Sequence, residues 1–296
     1  MTDNPSIGAI GSIYYDEDND RVKYFSQPIH TEKGSIDTEV AQARRMMEEQ
    51  GASRFTARFL STASYESPHL EAMIPLNNGF SGVCLYYLGM NDDRRRSPDD
   101  ILERQEALLR QVDRPGTIRD IPEGYRLERL VRVGDADRQR LASLYQESFP
   151  TYLTELDEEA VESMVENSIV YVARNPEGMI VSSAVGEVGQ VDTGEGILRI
   201  CEMSEMATDR NDRNASLVSA VASQVADEAR QITDLIFSEA RASHVAINRV
   251  FAKMGFAYAG RLHKHCVISG DREIDEQGPY ENLHVWYALP GGYHEM

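Results

Sequence analysis

Residues 238–256, SEARASHVAINRVFAKMGF, decide the fold of this chain. They read as the end of a strand, a polar turn and an amphipathic helix that ends at Gly255. Upstream, residues 201–221, CEMSEMATDRNDRNASLVSAV, have a similar build, because an apolar strand continues through a polar loop into a second helix. The two stretches together predict two consecutive strand–loop–helix units.

The loop between Ala207 and Leu217 is suited to an anionic ligand. A helix leaves the N–H groups of its first turn unpaired, and the helix dipole favours negative charge at that end. A pyrophosphate needs several such donors that converge on one point. The loop therefore predicts an acyl-CoA site.

The composition is strongly acidic and poor in lysine. Lysine and arginine total 30 against 49 acidic residues, for a net charge of -19. Such a charge repels nucleic acid and anionic membrane surfaces, so neither is expected as a partner. The lysines are Lys23, Lys33, Lys253 and Lys264, and the other basic residues are arginines. This surface favours a halophilic, salt-adapted protein over an ordinary acidic enzyme.

The cysteines and the apolar runs indicate the cellular compartment in which the protein is expected. Cys84, Cys201 and Cys266 lie far apart without a CxxC spacing, which favours free thiols over a disulfide or a metal site. The first residues have no basic flank before an apolar run, and no stretch approaches the ~18 apolar residues of a membrane helix. We expect a cytoplasmic protein without a bound metal. The sequence leaves open whether the protein forms a homodimer.

The chain is expected to divide near residue 122. Residues 112–125, VDRPGTIRDIPEGY, contain two prolines and two glycines, as a linker does. Residues 1–122 read as a smaller α/β domain of unknown role, and residues 123–296 as a second domain. In the first domain, strand-like runs lie at 7–15, 22–26, 54–60 and 80–90, and helix-like runs at 38–50 and 99–112.

From residue 123 the predicted order is a strand, two helices, three antiparallel strands, a helix, a strand, a helix and two strands. This is the layout of the GCN5-related N-acetyltransferase (GNAT) fold, an α/β (α+β) fold whose mixed, mostly antiparallel sheet is flanked by helices. Five ordered segments resemble signature segments of the β-lysine N-acetyltransferases: LYQESFPTYL (144–153), CEMSEMAT (201–208), ARAS (240–243), NRVFAKMGFAYAGRL (248–262) and YENLHVWY (280–287). The first half resembles those enzymes weakly.

The resemblance implies acetyl transfer from acetyl-CoA to a primary amine of a small molecule such as β-lysine, by direct attack of the amine. It implies that main-chain groups hold the pantetheine and pyrophosphate at Met206, Ala207, Thr208, Arg213, Asn214, Ala215, Ser216, Leu217 and Val218. The family's R-G-x-G-x-A segment reads RNASLV here, so both glycines that allow close approach to phosphate are replaced. The main-chain donors remain available whatever the side chains.

The resemblance also selects two residues of the last helix. Asn248 is expected to contact the cofactor, because the resembling segment keeps an asparagine there. In many of these enzymes a tyrosine four residues before the helix's glycine protonates the departing thiolate, and Phe251 takes that place here. Phenylalanine cannot donate a proton, so we expect Phe251 in the core, with its edge on the acyl-CoA channel.

Glu202 and Glu205 are the candidate catalytic residues. An amine arrives as ammonium at neutral pH, so a carboxylate near the acyl group is useful as a proton acceptor. Both lie in an apolar strand, where buried charge is costly without a partner or a purpose. Strand alternation places them on opposite faces unless a bulge intervenes. A structural salt bridge to an arginine is the alternative role for each.

The acceptor site is predicted from polar groups near the strand ends. In the resembling family a pair of asparagines lies where this chain has Lys264 and His265, which favours a carboxylate-bearing acceptor here. The expected substrate-binding residues are Tyr152, Glu239, Arg241, His265, Glu281 and Asn282. A metal at His263 and His265 is not expected, because no third ligand is spaced to join them. A catalytically silent acyl-CoA-binding or regulatory module and a protein or peptide acetyltransferase stay open as alternative functions.

Overall fold

One sheet of twelve strands runs through both halves of the chain. The computed structural model describes residues 13–76, 82–90, 94, 97–112, 118, 120–149, 156–193, 196–268 and 279–290. The first half contains β1 (Ile13–Asp16), β2 (Arg21–His30), α1 (Lys33–Gln50), β3 (Arg54–Ser61), β4 (Leu70–Leu76), β5 (Val83–Met90) and α2 (Asp99–Val112).

The second half follows the predicted order of elements. It contains β6 (Arg126–Leu130), α3 (Asp135–Ser148), α4 (Glu158–Asn167), β7 (Ser168–Arg174), β8 (Ile180–Asp192), β9 (Ile197–Thr208), α5 (Leu217–Ile232), β10 (Leu235–Arg241), α6 (Val245–Lys253), β11 (Ala257–Cys266) and β12 (Glu281–Ala288). A short 3₁₀ helix, Arg210–Ala215, precedes α5. This confirms the expected mixed sheet with flanking helices.

The strands lie in the order β1-β2-β3-β5-β4-β11-β12-β10-β9-β8-β7-β6. Among the described pairings, β2 with β3 and β9 with β10 are parallel, and the others are antiparallel. The set β2-β3-β5-β4 therefore repeats the topology of β9-β10-β12-β11, with α1 and α5 as the matching crossovers. The two sets meet through their corresponding strands, where Gly260 of β11 pairs with Ala72 of β4. No such repeat is evident in the sequence.

The helices of the second half pack on the sheet through apolar residues at helical spacing. One core joins α2, α5, α6 and β12, with Leu109, Val221, Val225, Phe251 and Trp286 among its buried members. A second core lies between α3, α4 and the strands β6 to β8. Because α2 lies before residue 122, the first half contributes to the core of the second, and the domain boundary near 122 stays a prediction.

The sheet curls so that the strands of the first half face those of the second. Phe25 of β2 and Tyr87 of β5 share a core with Ile200, Phe237 and Val285 of the second half. This contact covers the face of β9 and β10 opposite α5. The candidate site lies at the open end of the same face.

Two elements of the first half differ from the sequence expectation. β4 was not predicted, because Pro75 interrupts its pattern and a proline argues against a strand. α1 begins at Lys33 rather than at residue 38, because Gly34 and Ser35 hide its first turn. The predicted runs 7–15 and 80–90 begin outside the described residues. In the described ranges, no helix is long and apolar enough to cross a membrane, and no group of three or more His, Cys, Asp or Glu could hold a metal ion.

Candidate active site

A cleft opens where β9 and β10 stop pairing. Their parallel register runs from Leu235↔Ile200 to Phe237↔Glu202 and ends there. Beyond it the Ser238 hydroxyl donates to the Met203 carbonyl at 2.7 Å. A cavity of about 500 Å³ lies at this divergence, and main chain and side chains from residues 202–208 and 238–241 line it.

A bulge in β9 brings Glu205 to the same cavity as Glu202. Ser183 pairs with Ala207 and Val185 with Ser204, so β9 has one residue more than β8 between these pairs. Glu205 lies in the bulge with a φ of 38°, a conformation that is rare outside glycine. Glu202 and Glu205 are both buried, and both line the cavity. Strand alternation alone would have separated them.

The loop after β9 keeps a left-handed residue at the place of a family glycine. Ser216 has φ 57° and ψ 21°, and no side chain caps the start of α5 behind it. This conformation costs a non-glycine residue about 1 kcal/mol or more in folding free energy, and the fold tolerates that cost at Ser216. Val218 of α5 lines the cavity, as do the exposed side chains of Arg210 and Arg213. The cavity mouth therefore has two cations beside an uncapped helix start, as an anionic ligand requires.

One buried arginine from the first half holds two carboxylates of the cavity. Arg58 of β3 donates to Glu202 at 3.3 Å and to Glu239 at 2.5 Å. Burial raises the pKa of Glu202 to about 7 against the opposing charge of Arg58. Burial also acts to raise the pKa of Glu239, but Arg58 and neighbouring cations outweigh it and hold that pKa below its usual value. Near neutral pH Glu239 is thus an anion, while Glu202 exchanges its proton.

A third carboxylate supports the bulge from β8. Glu187 is buried and accepts from the Ser204 hydroxyl at 2.7 Å. Burial raises the pKa of Glu187 well above its usual value, and the charges of Glu205 and Glu202 raise it further. Like charges that share a buried site disfavour one another, so Glu187 holds its proton more tightly than an ordinary carboxyl group.

An irregularity in β11 directs His265 into the cavity. Leu262 pairs with Leu283 and Cys266 with Glu281, so β11 has two extra residues between these pairs. The His265 Nδ1 lies 3.3 Å from the Arg54 guanidinium, which can only donate, so Nδ1 accepts and Nε2 carries the proton of the neutral ring. Burial, followed by the charges of Arg21 and Arg54, lowers the pKa of His265 well below its usual value. His265 is therefore neutral, with Nε2 3.4 Å from Glu239.

The cavity also has a wall from the first half that the sequence reading did not include. Asn19, in the turn between β1 and β2, lines it together with Arg21 and Lys23 of β2. Arg21 pairs with Asp16 at 2.6 Å and donates to the His265 carbonyl at 3.1 Å. No motif marks these residues in the sequence. The signal available was the rarity of lysine, since Lys23 is one of four.

The structure brings together ten of the predicted site residues around the cavity. They are Glu202, Glu205, Met206, Ala207, Thr208, Arg213, Val218, Glu239, Arg241 and His265. Ser216 and Leu217 lie at the start of α5 behind the lining residues. Tyr152 and the side chains of Asn214 and Ala215 lie outside the described residues.

Asn248 and Phe251 lie inside the protein rather than on the cavity. The Asn248 amide donates to the Arg241 and His244 carbonyls and accepts from His284 and the Trp286 indole, at 2.8 to 2.9 Å. These bonds use its whole hydrogen-bonding capacity, so its side chain has none left for a cofactor. Phe251 is fully buried and stacks on Trp286. The structure matches the core position expected for Phe251 and not the channel edge.

Asn282 and Glu281 hold the cavity wall from behind. The Asn282 amide accepts from Ser97 and from the Lys264 N–H, and it donates to Gln105. It therefore fixes the irregular segment of β11 and does not line the cavity. Glu281 pairs with Arg241 at 2.7 Å. Arg241, which does line the cavity, already has a carboxylate partner.

Comparisons with known proteins give two curated relatives and no matching protein-family model. The chain is 27% identical over 171 residues to the β-lysine N(6)-acetyltransferase of Methanosarcina mazei, a match that covers 57% of each protein. It is 26% identical over 211 residues to the N-acetyltransferase YodP of Bacillus subtilis, covering 68% of this chain and 71% of that one. The first match thus spans less than two thirds of the relative's length.

Solved structures overlap the chain more loosely. The crystal structure of Arabidopsis thaliana NAA60 in complex with acetyl-CoA covers 57% of this chain and 99% of its own, with 14% identical residues and a TM-score of 0.46.

Proposed function

We propose that this chain, a member of the GCN5-related N-acetyltransferase superfamily, transfers an acetyl group from acetyl-CoA to a primary amine of a small molecule of the β-lysine type. The observation that carries the proposal is the cleft between β9 and β10, where Glu202, with a pKa of about 7, lines a cavity beside the uncapped start of α5. The cleft thus combines a proton acceptor with donors for an anionic cofactor.

Acetyl-CoA supplies the activated acetyl group, and the residues after Ser204 would hold it. The main chain of residues 206–208 lines the cleft, where its free edge can pair with the amides of the pantetheine arm. Arg210 and Arg213 at the mouth would bind phosphate groups, as would the N–H groups at the start of α5. The loss of both family glycines is offset in part, because Ser216 keeps the left-handed backbone that glycine would favour.

Glu202 is suited to remove the proton from the attacking amine. A general base works best when its pKa lies near the working pH, and burial raises the pKa of Glu202 to about 7. Glu239 stays ionised beside it and can hold the ammonium form of the acceptor before attack. The two carboxylates thus have separate roles because Arg58 lies closer to Glu239.

Departure of the thiolate needs little help in this cleft. Among the described residues, no tyrosine lines the cavity, and Phe251 occupies the place of the family's acid. A thiol has a pKa of ~8.5, so its anion is a fair leaving group near neutral pH. We therefore assign no protein acid to this step.

The test is release of free thiol from acetyl-CoA with a panel of diamines and amino acids in concentrated potassium chloride. We expect turnover with the wild type, and kcat/KM rising with pH with an inflection near pH 7. Glu202→Gln should lower kcat by about 10²- to 10⁴-fold and remove the inflection, because glutamine accepts no proton. Glu177→Gln, in an exposed turn, is the matched control and should behave as wild type.

Other outcomes would identify the alternative functions. Tight binding of coenzyme A without turnover of any amine would indicate a silent binding module. Turnover confined to peptide amines would indicate a protein acetyltransferase. Full activity of Glu202→Gln with an unchanged pH profile would exclude Glu202 as the base.

A further inference from the structure

The first half of the chain adds a cation to the cavity through β2. Arg21 and Lys23 are two residues apart on this strand, so their side chains share one face, and both line the cavity. Lys23 is half-buried. It lies opposite the carboxylates of β9 and β10, and its charge lowers the pKa of both Glu202 and Glu239.

The other basic groups at this end of the cavity already have partners. Arg21 pairs with Asp16, and Arg241 with Glu281. His265 is neutral, and its Nε2 faces Glu239. In the described part of the chain, Lys23 has no carboxylate within ion-pair distance, and its ammonium lies 5.8 Å from the centre of the Tyr14 ring. A half-buried ammonium that faces a cavity is a favourable site for the anionic group of a ligand.

We infer that Lys23 binds the carboxylate of the acetyl acceptor, so that the first half of the chain determines the choice of an amino acid over a simple diamine. This inference rests on the proposed function. The acceptor's ammonium groups would face Glu239 and Glu202, and its carboxylate would face Lys23. A diamine of the same length has the same two ammonium groups but supplies no anion for Lys23, so it lacks this favourable contact.

The position of Lys23 also separates its role from that of the cofactor cations. Arg210 and Arg213 lie after β9 at the start of α5, where the cofactor phosphates are expected. Lys23 comes from β2 of the first half, and its charge acts on Glu202, Glu239 and His265. Removal of its charge should therefore change acceptor binding and leave cofactor binding unchanged.

The experiment compares β-lysine with 1,4-diaminopentane, which is β-lysine without its carboxylate. With wild-type protein we expect β-lysine to have the higher kcat/KM. Lys23→Met should raise the KM for β-lysine by about 30-fold, the effect of losing one charge-assisted contact. At a pH well above the Glu202 pKa of about 7, where the base is ionised in both proteins, the KM for acetyl-CoA and the kcat/KM for the diamine should stay within about twofold, because neither uses this contact. Lys23→Glu should reverse the preference toward the diamine.

Lys33→Met is the matched control, since Lys33 is an exposed lysine on α1 outside the cavity, and its kinetics should be those of the wild type. Equal loss of activity on both acceptors in Lys23→Met, or an unchanged preference in Lys23→Glu, overturns the inference while the proposed function stands. If wild-type protein releases no thiol with any acceptor, the proposed function fails, and the inference fails with it.

Discussion

At the scale of single residues, one guanidinium gives two buried glutamates different pKa values. Arg58 lies between the rings of Phe25, Tyr87 and Phe237 and bonds to both carboxylates. Burial lowers the pKa of Arg58, but the charges of Glu239 and Glu202 outweigh burial and keep that pKa well above its usual value. Arg58 therefore stays charged, and the closer contact with Glu239 leaves Glu202 with the raised pKa.

We predict that Arg58→Met lowers the free energy of unfolding by about 3–5 kcal/mol at pH 8, because it leaves two buried carboxylates without their partner. Loss of Arg58 raises the pKa of both carboxylates, so they bind protons as the pH falls toward 5, and the deficit should shrink there. Urea unfolding at both pH values measures this. Arg104→Met, on an exposed pair, should cost less than about 0.5 kcal/mol. An equal deficit at pH 5 and pH 8 would refute the electrostatic explanation.

At the scale of elements, the sheet is continuous because one glycine lets two strands meet. Gly260 of β11 has a φ of 153°, and a Cβ there would lie 2.2 Å from the Glu71 carbonyl oxygen of β4. Glu71 also pairs with Arg54 at 2.5 Å and accepts from the His263 N–H at 3.2 Å. The junction of β4 and β11 thus combines close main-chain approach with a buried ion pair.

Gly260→Ala should destabilise the protein by about 3 kcal/mol or more, since neither the backbone angle nor the space suits a side chain. The denaturation midpoint in urea measures the change. Gly34→Ala is the control, because nothing lies within 4 Å of the added Cβ at the start of α1, and it should be neutral or slightly stabilising. A loss below about 1 kcal/mol at Gly260 would mean that the strands part easily, and that the junction contributes little.

At the scale of the whole molecule, the two halves share their cores. Phe25 and Tyr87 pack with Ile200 and Phe237, and α2 packs with α5 and α6. The candidate active-site cavity has walls from both halves. Separation of the halves would therefore expose apolar surface and also open the site.

We expect one cooperative thermal transition, with equal calorimetric and van't Hoff enthalpies, because neither half keeps a complete core alone. A protease site inserted after Pro122, in an exposed turn, supplies the second measurement. The cleaved halves should elute together and keep their activity on acetyl-CoA. Two separate transitions, or dissociation after cleavage, would show that the halves are independent domains.

The sequence predicted most of the second half because its signals are local. The strand–loop–helix units at 201–221 and 238–256 carry their hydrophobic period and turn residues in contiguous stretches. The same stretches contain Glu202, Glu205 and Glu239, so the predicted strands also identified these three carboxylates as candidate site residues. Strand alternation implied that Glu202 and Glu205 could face the same side only if a bulge lay between them. The sequence did not show whether that bulge is present.

The tertiary structure decided which residues complete the site. Lys23 and Arg58 precede Glu202 by well over a hundred positions, and only the curl of a sheet through β4 and β11 brings them to it. The same contacts assign different pKa values to Glu202 and Glu239, which look alike in the sequence. The hydrophobic period of a segment shows which of its residues face the core. The charge state, the burial and the ion-pair partners of a side chain depend instead on residues that are distant in the chain. For that reason the sequence determined the type of cleft, and the fold determined its chemistry.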